Sequence, residues 1–176
     1  NQPVDAEELG GWKLHSEMTG LVDLVVDSDE QAIAAIKLYL SYLPSHHNEA
    51  PPVNDVSANA GENGKRITEI VPGDASKVYD VRKVVEAIAD PGSVFETKAR
   101  FGKSLCTALI RLNGRTVGVL ANNPMFKGGA IDVDACNKAT SFLVFCDSFN
   151  IPIITFEDVP GFLPGLAQEQ GGIIRA

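Results

Sequence analysis

Basic residues are scarce beside acidic ones: 15 Lys and Arg stand against 23 Asp and Glu, for a formal net charge of -8. That balance excludes a conventional nucleic-acid or anionic-membrane surface, because neutralising phosphates takes dense Lys and Arg. The small cluster of Lys98, Arg100 and Lys103 does not reverse it. No stretch approaches the roughly 20 consecutive apolar residues of a membrane span. The opening NQPVDAEELGG has neither the basic nor the apolar region of a secretory signal. Cysteine is limited to Cys106, Cys136 and Cys146. An odd number in aliphatic surroundings reads as buried free thiols of a reducing cytosol, not as a disulfide framework. Histidine is limited to His15, His46 and His47, and the G-x-S-x-G, Walker, H-E-x-x-H and paired C-x-x-C patterns are all missing. Nucleophilic and zinc catalysis therefore have no support. The adjacent His46 and His47 lack a carboxylate or thiol at ligand spacing, so no metal is expected.

What is present is ordinary globular composition, 44% hydrophobic and 22% charged over 176 residues, enough for one domain or parts of two. The most informative stretch is Ile151 to Gly165, IPIITFEDVPGFLPG. Ile153 to Phe156 form the continuous apolar and β-branched run of a strand covered on both faces, as in a parallel sheet. Pro160-Gly161 and Pro164-Gly165 then mark tight turns, and Leu166 to Ile174 starts a helix whose first amides face the loop. Ligands of open α/β sheets bind at the carboxyl ends of strands. Glu157 and Asp158 sit there, but neighbouring strand residues point to opposite faces, so at most one can face a ligand.

Upstream, Leu9 to Gly20 reads as a loop and Leu21 to Val26 as a short strand. Asp27-Ser28-Asp29 with Gln31 form a capping-box pattern before a helix whose buried face is Ala32, Ile33, Ile36, Leu40 and Leu43. Pro44 ends that helix. Residues 44–78, with His46, His47, Pro51, Pro52, Gly61 and Gly64, read as an interdomain linker. Asp80 caps a helix burying Val81, Val84, Val85 and Ile88, which Asp90-Pro91-Gly92 stops. Asn113-Gly114 joins two antiparallel strands, Leu105 to Leu112 and Thr116 to Leu120. ANNPMFKGG, residues 121–129, is a loop, and Asp132 or Asp134 caps a helix whose apolar face holds Ala135, Ala139, Phe142, Leu143 and Cys146. Strand 116–121, helix 134–149 and strand 153–157 make a βαβ unit, expected to cross over right-handed, so loops 122–129 and 158–165 face the same side. Gly128-Gly129 and Gly161 read either as ordinary turn glycines or as places where backbone amides can approach a substrate closely.

Three segments carry a resemblance: RLNGRTVGVLANNP, SFLVFCDSFNIPIITFEDVPGFLPG and AQEQGGIIR. With LGGWKLHSEMTGLVD, LSYLP and YDVRKVVEAIAD in the same order, the chain closely resembles carboxyltransferase β subunits of biotin-dependent acyl-CoA carboxylases, the propionyl-CoA and acetyl-CoA carboxylase family. Biotin-dependent decarboxylases acting on methylmalonyl-CoA or glutaconyl-CoA share these segments, and a non-catalytic assembly fragment is the alternative of another class.

The resemblance implies an α/β, crotonase-like ββα superhelix, present in part. Residues 1–43 would be the tail of the N-terminal carboxyltransferase domain, 44–78 the linker, and 79–176 the first part of the C-terminal domain. It implies transfer of a carboxyl group from carboxybiotin, carried on a separate biotin carboxyl carrier and loaded by a biotin carboxylase component, to the α-carbon of a short acyl-CoA. The mechanism the resemblance implies requires no side-chain acid or base: a biotin-derived anion would take the α-proton while backbone amides hold the developing oxyanions. The catalytic glycine pairs would lie outside this chain, which would be an internal segment incomplete as a catalyst. Val159, Pro160, Gly161 and Phe162 would line the biotin and acyl region, with Gly165 and Gln168 at the helix start and Asn122, Asn123 and Pro124 beside them. Where many members have Gln-Pro and a small residue, this chain has Asn123-Pro124-Met125-Phe126. The resemblance further implies a homo-oligomer, a hexamer with sites between domains of a dimer, located in the cytoplasm or, in a eukaryote, the mitochondrial matrix.

Overall fold

Asn113 and Gly114 both take positive φ, 52° and 77°, as the two-residue turn between right-twisted strands requires. They join β2 (Leu105–Leu112) to β3 (Arg115–Asn122) in an antiparallel ladder from Leu112↔Arg115 to Leu105↔Asn122. The structure is a computed structural model that describes residues 3–55, 66–74 and 76–176. Its described elements are α1 (Ala6–Gly10), a π-helical turn (Leu14–Met18), α2 (Asp29–Leu40), α3 (Ile67–Ile70), α4 (Val81–Ile88), β1 (Phe95–Thr97), β2, β3, a 3-10 turn (Lys127–Gly129), α5 (Val133–Ser148), β4 (Ile153–Phe156) and α6 (Leu166–Gly171). The sheet runs β1-β2-β3-β4, with β4 parallel to β3 and the other pairs antiparallel.

Both central strands are buried almost throughout because each face has a cover. Alternate residues Cys106, Ala108, Ile110, Val117, Val119 and Ala121 pack with Val81, Val84 and Val85 of α4. Leu105, Leu109 and Leu120 point the other way, onto Ala135, Phe142 and Cys146 of α5. This is the period-two division expected of a strand. α5 starts where Asp132 Oδ1 accepts from Ala135 N at 2.8 Å, α4 where Asp80 accepts from Arg82 N at 3.1 Å. α5 then carries the chain from β3 to β4, which forms the expected βαβ unit.

Several expectations are corrected. β4 is the outer strand of the sheet, alternating exposed and half-buried. Only its Ile154 and Phe156 side packs on the α4 cluster, so it is covered on one face. Residues 21–26 form no strand, since no partner strand reaches them among the described residues; Asp23 O instead accepts from Lys98 N at 2.8 Å. Helical turns occupy much of 9–20.

The α2 cap is present, Ser28 Oγ accepting from Gln31 N and Gln31 Oε1 from Asp27 N, but Ile33, Ile36 and Leu40 are 53, 57 and 58% exposed. Periodicity identifies an apolar face without supplying its cover. α2 is held instead through its C-terminal end. Tyr39 packs against the α5 side of the sheet, and wholly buried Tyr42 donates to Ser93 O at 2.6 Å under the Arg111 guanidinium. In α5, Leu143 faces outward, while Lys138 occupies the buried stripe. The helix expected to reach Ile174 stops at Gly171, where Gly172 turns left-handed with φ 84°. Of the segment expected to be a linker, residues 56–65, including Gly61 and Gly64, lie outside the described residues.

Candidate functional site

The parallel register sets Ala121 opposite Phe156, so β3 and β4 end level and their loops leave the sheet side by side. Ile131 N donates to Gly161 O at 3.1 Å and Leu163 N to Ile131 O at 2.8 Å, a short parallel bridge between the two loops. They touch again at Gly129. Its φ is 78°, and a β-carbon there would stand 2.5 Å from Asp158 O, so the left-handed turn and the close approach both demand glycine.

The asparagines act from inside this arrangement. Asn122 and Asn123 are buried. Asn122 Nδ2 donates to Gly129 O at 3.2 Å. Asn123 Nδ2 donates to Asp80 Oδ1 at 3.0 Å, while its Oδ1 accepts from Met125 N at 3.2 Å. Pro124 is buried with them. Gln168 Oε1 accepts from Val133 N at 2.9 Å, tying α6 to the first turn of α5. Gly165 sits at the start of α6 with φ 140°. Val159 and Phe162, by contrast, are 39 and 61% exposed, Pro160 is exposed, and nothing stands within 4 Å of where a β-carbon on Gly161 would be. The anticipated residues therefore divide. Val159, Pro160, Gly161 and Phe162 form an open rim, whereas Asn122, Asn123 and Gln168 bond to the neighbouring loop and helix starts.

No sequence signal marks Tyr79 and Asp80 as partners of the loops. Tyr79 OH donates to Asp158 Oδ2 at 2.9 Å; burial and that carboxylate push its phenol up to about 12, keeping it a donor. No local pattern announces a contact across 79 residues. Glu157 is exposed. Asp158 thus acts as a brace with its side chain. Beside the 122–129 loop lies a cavity of about 510 Å³, lined in part by Arg100, Lys103, Ser104, Phe126 and Lys127. The Phe126 ring carries the Arg82 guanidinium 5.8 Å and the Lys103 ammonium 6.0 Å from its centroid, and Lys127 pairs with Asp132. Glu17, Asp132 and Asp134 line the same cavity, and Arg100 pairs with Glu17, so its wall carries charges of both signs.

Comparison with known proteins gives this geometry its context. The carboxyl transferase domain family matches residues 1–176. The methylmalonyl-CoA carboxyltransferase 12S subunit of Propionibacterium freudenreichii subsp. shermanii is 45% identical over 178 residues, covering 99% of this chain and 33% of its own length. The propionyl-CoA carboxylase beta chain of Roseobacter denitrificans is 39% identical over 175 residues, covering 99% and 34%. A crystal structure of the transcarboxylase 12S hexamer, with hydrolysed methylmalonyl-coenzyme A bound, superimposes with a TM-score of 0.93 at 43% identity, covering 99% of this chain and 34% of that one. The chain spans about a third of the length of these relatives. Its mixed sheet, covered by helices on both faces, is part of the crotonase-like carboxyltransferase fold, and the chain belongs to the carboxyl transferase domain family.

Proposed function

We propose that the chain is part of a subunit that transfers a carboxyl group from carboxybiotin to the α-carbon of a short acyl-CoA such as propionyl-CoA or acetyl-CoA. The observation that carries the reading is the backbone bridge Ile131 to Phe162, which sets two glycine-containing strand-end loops side by side. Carboxybiotin, when bound, supplies the activated carboxyl group. The residues present fit such a ligand. Gly161 leaves open space where a side chain would stand, and the exposed Phe162 ring next to it offers a flat apolar edge to a bicyclic ureide. Val159, Pro160, Gly161 and Phe162 would bind and orient the ring. Asn122, Asn123, Gly165 and Gln168 would act by fixing loop position. No carboxylate or histidine of this chain is asked to move the proton, in keeping with Asp158 being engaged by Tyr79.

The 12S relative is a methylmalonyl-CoA carboxyltransferase subunit, and its crystal structure is a hexamer that binds substrate. We extend to this protein a homo-oligomer, an acyl-CoA substrate, and biotin carrier and biotin carboxylase partners, in the cytoplasm or a mitochondrial matrix. Among the described residues no helix is long and apolar enough to cross a membrane. The test is the full-length subunit assayed with a carboxylated biotin derivative and propionyl-CoA, in both directions. Carboxyl exchange is expected, and Phe162→Ala should raise the KM for the biotin substrate about tenfold, as loss of an apolar contact of about 1.4 kcal/mol formed on binding would. Absence of exchange in either direction overturns the reading.

A further inference from the structure

The start of α4 reaches both loops of the site at once. Tyr79 OH holds Asp158 at 2.9 Å. Asp80 Oδ1 holds Asn123 Nδ2 at 3.0 Å, across 43 residues. Arg82 lies over the Phe126 ring at 5.8 Å and is itself fixed by Glu96, whose two oxygens accept from Nε at 2.9 and 2.8 Å. Behind them Val81, Val84 and Val85 are buried against β2 and β3, so the platform is as rigid as the core. The loops are otherwise exposed at Val159 and Phe162.

We propose that Tyr79 and Asp80 are positioning residues for the reaction, the paired post from which the 122–129 and 157–165 loops are held at the spacing a biotin ring requires. This rests on the carboxyl-transfer reading above. Neither side chain touches the reacting atoms; each acts through a loop residue, Tyr79 through Asp158 and Asp80 through Asn123. Because Asp158 O also abuts Gly129, a displacement of one loop is passed to the other.

Asp80 also caps α4, so removing it would disturb the helix itself. Tyr79→Phe is the informative variant, since it deletes one oxygen and leaves the ring against the α4 cluster, where Tyr79 packs. In the full-length subunit it should raise the KM for carboxylated biotin about tenfold, the worth of one hydrogen bond to a charged group. The KM for acyl-CoA and kcat should stay within about twofold. Hydrogen exchange should quicken in the amides of 157–165 and remain unchanged in β2, a readout independent of catalysis. Unchanged exchange in that loop, or a parallel fall in kcat and both affinities with a lowered melting temperature, overturns the proposal. Phe162→Ala separates this from the reading beneath it. If that variant raises the KM for biotin and Tyr79→Phe does not, the post is refuted and the biotin reading stands. If neither raises it, both fall.

Discussion

Replacing Lys138 by Met should cost more stability than any exposed substitution in the chain. Lys138 is 1% exposed, and its ammonium donates to Lys98 O at 2.9 Å, Phe101 O at 3.0 Å and Leu105 O at 2.7 Å. Two of these carbonyls belong to the turn leading from β1 into β2, where Lys98 and Gly102 both take positive φ, and the third to Leu105, the first residue of β2. A thioether of similar length fills the volume but satisfies none of the three. Each orphaned buried acceptor costs about 1–3 kcal/mol, moderated where the turn relaxes. The net expectation is about 3–5 kcal/mol: three orphaned acceptors would sum to more, but Met is spared the cost of burying an ammonium. Urea unfolding of the full-length subunit, wild type against Lys138→Met, measures it. A difference under about 1 kcal/mol would show that the turn stands without the ammonium and refute the reasoning.

The same group makes a signed pH prediction. Burial pushes the Lys138 ammonium down from 10.5 to about 8. Below pH 8 it is protonated folded and unfolded, so the difference between wild type and Lys138→Met should be flat. Between pH 8 and 10.5 the unfolded chain keeps a proton that the folded chain releases. The stability of wild type relative to the variant should then rise with pH, by at most about 1.4 kcal/mol per unit. A fall over that window would contradict the sign.

Two further outcomes are expected. Gly129→Ala would force a β-carbon to within 2.5 Å of Asp158 O at φ 78°, so it should part the loops and lower carboxyl transfer by about tenfold, with strain of about 1–2 kcal/mol; unchanged kcat/KM would show that the close approach is dispensable. Burial pushes the Cys106 and Cys146 thiols up to about 12, while Cys136 is only half-buried. Alkylation at pH 8 followed by peptide mapping should mark Cys136 first, and prior labelling of Cys106 or Cys146 would contradict the packing.

What the sequence makes legible is mostly local. Asn113-Gly114 specifies a turn, Asp80 and Asp132 specify caps, and the spacing of Val81, Val84 and Val85 specifies a buried face, because each is a contest between a few neighbouring residues. Lys138 shows where such reading fails. It stands three residues after Ala135 and four before Phe142, on the buried stripe, yet a lysine is scored as surface on composition alone. Its spacing is the available signal, and Leu143 stands in its place in the expected face. α2 fails in the opposite direction. Ile33, Ile36 and Leu40 do form a stripe, but a stripe specifies only that apolar area exists, and here the helix is fastened by Tyr39 and Tyr42 at its end.

The loops of the site combine both situations. Pro160-Gly161 and Gly128-Gly129 are visible as turns, and the βαβ order places them on one side. Their mutual distance is a different quantity. It follows from the β3–β4 register, which levels the strand ends at Ala121 and Phe156, and from the hydrogen bonds of Tyr79 and Asp80 to partners 79 and 43 residues away. Turn chemistry permits many loop positions of nearly equal energy; one hydrogen bond of about 1.4 kcal/mol to a rigid helix start selects among them by about tenfold. The turn residues that sequence makes visible therefore form the exposed part of the candidate site, and its placement depends on long-range bonds from Tyr79 and from Asp80, whose sequence signature announces a helix cap and not a loop partner.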